Sequence, residues 1–167
     1  MRATRILDPR TKGDRRILWE AWKWEKSLPP RLRVLVQPPP LKNFFRNAQR
    51  VEQVDVGFWM NFRLYAVITW ADCDYGRYEV GLAAHRGCPT EELCKLFYQT
   101  GFNLFRGGAR ELFCYAHRKN IPARMMAKRC GFTEKAYGDR VKLFMNRGTY
   151  EDYHAHLGGD LNKYDSS

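Results

Sequence analysis

The chain of 167 residues lacks an apolar run approaching the ~20 residues that a bilayer-spanning helix needs. It has no CxxC pair, and its five cysteines (Cys73, Cys88, Cys94, Cys114 and Cys130) are odd in number. That excludes a disulfide framework or a zinc knuckle as the organising element and leaves reduced, mostly buried thiols as the expectation. His154 and His156 form an HxH pair with no cysteine and no second ligand pair beside it, so no metal is expected. The stretch "MRATRILDPRTKGDRR" has no continuous apolar segment to act as a signal peptide. A soluble, cytoplasmic protein without membrane contact is the expectation. Internal repeats and low-complexity tracts are absent.

Acidic residues are scarce at one end. Residues 1–50 hold thirteen Lys/Arg against four acids, a balance of +9, whereas the other 117 residues hold sixteen against fourteen. Arg15, Arg16, Lys23, Lys26, Arg31 and Arg33 lie in this basic third. Such a field suits an acidic partner or nucleic acid, and equally a solvated, solubilising surface.

What is present is enough for a core: 44% hydrophobic residues, with aromatics at 14%. The length fits one domain, read as residues 1–150, with a polar tail over 151–167. "TRILDP" reads as a strand. "GDRRILWEAWKWEKSLPP" reads as a helix, capped by Asp14 and ended by Pro29-Pro30. Trp19 and Trp22 are expected on the sheet, leaving Trp24 the more exposed and available for stacking. After Pro38–Pro40, "LKNFFRNAQRVE" reads as a second helix. Then come strands "QVDVGFWMN", "RLYAVITWADCD" and "RYEVGLAA", with turns at Asn61 and "CDYG". "PTEELCKLFYQTGFNLFRGG" is a helix opened by Thr90 with Glu91 and Glu92 in its first turn. "ELFCYAH" is a strand, "PARMMAKRCG" a helix ended by Gly131, and "FTEKAYG" and "DRVKLFMNR" two closing strands. The order β-α-α-β-β-β-α-β-α-β-β predicts an α/β protein with a mixed sheet.

Asn120, Ala123, Met126, Arg129 and Gly131-Phe132 stand at the spacing N-x-x-A-x-x-L-Y-x-K-x-G-F, with Met for Leu and Arg for Lys. In this motif and in element order, over roughly residues 4 to 147, the chain resembles the GCN5-related N-acetyltransferases, the GNAT superfamily. A capped amphipathic helix in another α/β domain is the plainer reading of the motif alone. The resemblance implies that strands 77–84 and 111–117 run parallel and splay apart. It implies acetyl-CoA in the resulting cleft, near Leu82, Ala83, Ala84, Arg86, Gly87, Cys88, Asn120 and Ala123. It makes Glu79 the candidate base, against the plainer reading of a solvent-facing strand carboxylate. Two positions depart from the family pattern. The phosphate loop R/Q-x-x-G-x-G/A is met by "HRGCPTEE", where Pro89 removes an N–H donor and Glu91 adds negative charge. The motif tyrosine, the usual acid, is Ala127; Tyr137 or Tyr78 would have to serve instead. Cys114 reads as a core thiol rather than a nucleophile.

Two functions follow. One is acetyl transfer from acetyl-CoA to an amine on an acidic or nucleic-acid-associated acceptor. The other is a catalytically degenerate GNAT fold that binds nucleic acid or an acidic protein. In the style of its divergence, though not in any motif, the chain is similar to acetyltransferase-like proteins of some tailed bacteriophages.

Overall fold

The structure is a computed structural model that describes residues 2–27, 29 and 53–157. Its elements in chain order are β1 (Arg2–Leu7), α1 (Lys12–Ser27), β2 (Gln53–Met60), β3 (Arg63–Asp72), β4 (Arg77–Ala84), α2 (Thr90–Arg106), β5 (Glu111–His117), α3 (Ile121–Arg129), β6 (Thr133–Tyr137), β7 (Arg140–Asn146) and α4 (Arg147–Leu157). The expected helix over residues 41–52 lies outside the described residues, as do Arg31 and Arg33. Among the described residues no helix is long and apolar enough to cross a membrane, and no group of three or more potential metal ligands occurs.

Seven strands form one sheet in the order β1-β2-β3-β4-β5-β7-β6. Every neighbouring pair is antiparallel except β4–β5. This is the expected mixed sheet. Two tight turns set the register of its first half. Asn61 and Phe62 both take positive φ (49° and 64°), a two-residue turn whose twist suits a hairpin. Asp74, Tyr75 and Gly76 carry the chain round the second.

Side chains alternate between two layers, as strand geometry requires. On one face Phe58, Ile68, Val80, Leu112 and Leu143 form the main core with Leu93, Leu96 and Phe105 of α2 and Ala127 of α3. Gly101 of α2 faces the Tyr150 ring and Leu112; a Cβ there would lie 3.4 and 3.6 Å from them, at ordinary contact distance. On the other face Leu7 and Val67 pack against Leu18 and Ala21 of α1. Helix α4 crosses residue 150, and Tyr150 is buried against Phe105 at 4.8 Å between ring centroids.

The start of α1 differs from the sequence expectation. Thr11, not Asp14, takes the capping role, its Oγ1 accepting the Asp14 N–H at 3.2 Å. Asp14 sits inside the helix and is buried, tied to Arg5 of β1 by two hydrogen bonds and accepting the Asp8 N–H at 2.8 Å. A carboxylate pulled toward a guanidinium serves the strand–helix junction better than it serves its own helix end. The Arg5 hydrogen bonds are the main cause that holds the Asp14 carboxyl below its ordinary range.

Asp14→Asn should therefore cost about 2 kcal/mol in urea unfolding at pH 7, the scale of a charge-assisted hydrogen bond. The folded-state value is depressed, so this stabilisation is fully present above about pH 4 and is lost as pH falls through the folded value. The difference between wild type and Asp14→Asn should shrink toward zero across that acid window, measured by unfolding at stepped pH.

Candidate active site

β4 and β5 touch through three register pairs only: Arg77 with Glu111, Tyr78 with Leu112, and Glu79 with Phe113. Beyond Glu79 the strands part, although β4 continues to Ala84 and β5 to His117. β4 stays paired with β3 to its end, Ala84 opposite Ala66. The His85 N–H donates to the Tyr65 carbonyl at 2.8 Å, and at the other end the Cys73 N–H donates to the Arg77 carbonyl. Odd-numbered residues of β4 thus spend their backbone groups on β3. Alternation turns the N–H and C=O of Leu82 and Ala84 toward the gap, where β5 no longer meets them.

The segment leaving β4 folds back on itself. The Gly87 N–H donates to His85 Nδ1 at 3.1 Å, and the Cys88 N–H donates to the His85 carbonyl at 2.9 Å. Pro89 occupies the position before α2 and offers no N–H. Three backbone positions of the expected phosphate loop are therefore occupied or absent. Glu91 is exposed in the first turn of α2, while Glu92 is buried and paired with Lys95 at 3.2 Å. Arg86 is exposed.

Sequence reasoning missed Arg63, which the β2–β3 turn brings 2.9 Å from His85 Nε2. A neutral imidazole accepts at one nitrogen only. The His85 ring faces two donors, the Gly87 N–H and the Arg63 guanidinium, and satisfies one of them. Trp24 and Tyr65 hold the ring edge-on at 5.6 and 6.0 Å. Trp24 is thus half-buried, packed on the α1-side core rather than free for stacking as expected. Trp22 is the more buried, as expected, and the Trp24 indole covers apolar surface and meets the His85 ring in a T-shaped contact.

On the far side of the gap, α3 opens at Asn120. Its side chain is buried and accepts the Ala123 N–H at 3.3 Å, and its carbonyl accepts the Arg124 N–H. Arg124 in turn pairs in two-pronged fashion with Glu134 of β6 and donates to the Arg118 carbonyl, which fixes the helix start over β6. Ala123 is half-buried on the first turn. Gly131, at φ 89°, releases the chain into β6.

Glu79 is exposed at the last paired position, on the α1 side of the sheet. Tyr137 lies on the edge strand β6, half exposed and separated from β5 by β7. At roughly 4.8 Å per strand, it stands about 10 Å to the side of β5. Ala127 is buried in the main core, as is most of Tyr78. Cys114 follows the last β5 residue paired with β4; burial first, then the charge of Glu79, pushes its thiol up to about 12. It is a protonated core thiol rather than a nucleophile. Tyr115, the next residue, is the hydroxyl that β5 places on Glu79's face, with its ring 5.9 Å from Phe113. Alternation along "ELFCYAH" was the available signal for it.

Helix α1 carries Lys12, Arg15, Arg16, Lys23 and Lys26 in exposed positions. At 100° per residue they share one side of the helix with Trp19, opposite Ala21. Lys23 pairs with Glu20 at 2.7 Å, and Lys26 lies 4.9 Å over the Trp22 ring.

No protein-family model and no curated protein sequence matches the chain. Solved structures do. Spermidine N-acetyltransferase from Vibrio cholerae, in complex with CoA and spermine, superposes with a TM-score of 0.66 at 11% identity, covering 90% of this chain and 98% of that one. YncA from Salmonella typhimurium, a putative acetyltransferase with acetyl-CoA, gives 0.65 at 13%, covering 87% and 93%. The GNAT domain of PAT from S. lividans gives 0.64 at 14%, covering 86% and 89%. The fold is that of the GCN5-related N-acetyltransferases.

Asn120→Ala removes the side-chain acceptor at the start of α3 and leaves a buried gap. It should lower stability by about 1 kcal/mol, the usual scale of a lost helix cap, read from the midpoint of chemical unfolding.

Proposed function

We propose that the chain transfers an acetyl group from acetyl-CoA to an amine, with an acidic or nucleic-acid-associated molecule as acceptor. The observation that carries this reading is the parted β4–β5 pair, which leaves strand-edge donors and acceptors facing a cleft beside an exposed carboxylate. The solved neighbours with this fold, including those with acetyl-CoA or CoA bound, support it.

The residues present fit the cofactor unevenly. Leu82 and Ala84 would hold the pantetheine arm as a strand holds its neighbour, with Asn120 and Ala123 on the opposite wall. Arg86 and Arg63 would take the phosphates through their side chains, since the Gly87 and Cys88 N–H groups are engaged. An anion against Arg63 also removes the competition at His85. Bound acetyl-CoA supplies a thioester carbonyl as electrophile. Glu79 takes the acceptor's proton through water, leaving a neutral amine to attack. The gap-facing N–H groups of β4 are the donors available to a developing oxyanion. The C–S bond would break as the amide forms, and the CoA thiolate would leave as the thiol; Ala127 provides no proton for it, and Tyr115 is the phenol on Glu79's face that could.

Glu91 costs this grip on the order of 1–3 kcal/mol at an effective dielectric near 20. A lost charge-assisted hydrogen bond adds about 1.5–3 kcal/mol. Calorimetric titration should accordingly give a dissociation constant for acetyl-CoA no tighter than about 100 µM. Pro89→Gly with Glu91→Gly should tighten it about tenfold or more. Low-micromolar binding by the natural chain would overturn the account of this loop. Glu79→Gln should lower kcat roughly 10²-fold while leaving acetyl-CoA affinity unchanged, measured by acetylated product and free thiol together.

The cationic side of α1 favours a second reading, a binding module for nucleic acid in which catalysis is lost. In that case gel-shift affinity should fall steeply between low and physiological salt. Arg15→Glu with Arg16→Glu and Lys23→Glu should abolish it. Absence of any shift at low salt removes this reading.

A further inference from the structure

Cys94, in the second turn of α2, and Cys130, at the end of α3, approach to 3.2 Å between sulfurs. A disulfide needs about 2.05 Å, so the sulfurs stand about 1 Å beyond bonding distance. Cys94 is half-buried, whereas Cys130 is buried. The pair lines a small apolar cavity with Phe97, Phe132, Met145 and Tyr150. The Cys130 thiol donates toward Cys94 Sγ, and this is the main cause that lowers the Cys94 thiol below its ordinary value. Arg129 acts in the same direction; burial and Glu91 act against it. The same contact and burial raise Cys130.

We propose that Cys94 and Cys130 form a peroxide-reactive dithiol, a modification site that joins α2 to α3 when oxidised. The Cys94 thiolate attacks one oxygen of a peroxide. An S–O bond forms, the O–O bond breaks, and the departing hydroxide leaves as water after taking a proton. Cys94 is then a sulfenic acid. The Cys130 sulfur attacks that sulfur, the S–S bond forms, the S–O bond breaks, and a second water leaves with the Cys130 proton. Two thiols and one hydrogen peroxide give one disulfide and two waters.

The other thiols set the selectivity. Burial pushes Cys88 up to about 11 and Cys114 up to about 12, which keeps both protonated and slow. Neither Cys94 nor Cys130 belongs to the parted strands, so the inference stands apart from whether acetyl-CoA binds.

The test treats the reduced, full-length protein with one equivalent of hydrogen peroxide at pH 7, followed by blocking of free thiols and peptide mapping. The expected product is a Cys94–Cys130 linkage, lighter by two hydrogens and reversed by dithiothreitol. Melting should rise by about 5 °C in the oxidised protein and return on reduction. Cys130→Ser should stop at a Cys94 sulfenic acid, trapped by dimedone. Before oxidation, Cys94 should alkylate at least about tenfold faster than Cys114. A native protein that loses Cys73 or Cys88 first, or carries Cys94 to sulfinic acid without forming the bridge, overturns the proposal without recourse to any variant.

Discussion

β4 belongs to one half of the sheet and β5 to the other, and their backbone ladder runs to three register pairs. β4 is fastened to β3 along its whole length and β5 to β7 from Glu111 to His117. Each half keeps its own right-handed twist. Past Glu79 and Phe113 no pairing holds the two together, so they diverge. The main core bridges the halves on one side, through α2 and α3. The α1-side core spans β1, β3 and β4. A cleft floored by unpaired strand edge is therefore a consequence of how the pairing is distributed, and everything proposed for function depends on it.

The elements that flank this cleft are pinned from outside it. The buried Asp14 binds α1 to β1 through Arg5, and Arg124 binds α3 to β6 through Glu134. These contacts place helix ends rather than fill the core. The loop after β4 departs from the pattern expected of a phosphate loop: it spends its donors on His85, and positive charge arrives from Arg63 across a hairpin turn. Charge carried by two long side chains holds an anion less rigidly than a row of backbone N–H groups. Under the same helices lies the Cys94–Cys130 pair, which joins α2 to the end of α3.

Strand and helix order was legible because period-two and period-3.6 patterns were strong and Gly, Pro and Asn marked the breaks. Asn120 and Gly131 read correctly as the ends of a helix since their local physics depends on few neighbours. Asp14 read wrongly because its best partner, Arg5, lies on another element. Arg63 was missed for the same reason: a hairpin places it beside His85, and nothing local signals that. Trp24 looked exposed because its neighbours in sequence are charged, whereas in space it packs on the α1-side core and meets His85. The Cys94–Cys130 contact joins residues far apart in the chain and leaves no mark on spacing. Contacts within an element were readable; contacts between elements were not.

Amide hydrogen exchange of β4, residue by residue, tests the cleft most directly. In the free protein the Gly81 and Ala83 amides, committed to β3, should exchange slowly, while the Leu82 and Ala84 amides, facing the gap, exchange faster. Saturating acetyl-CoA should slow Leu82 and Ala84 and leave Gly81 and Ala83 nearly unchanged. Uniform protection along β4 without ligand, or no change at Leu82 and Ala84 at millimolar acetyl-CoA, would contradict the claim that the parted strands form the cofactor site.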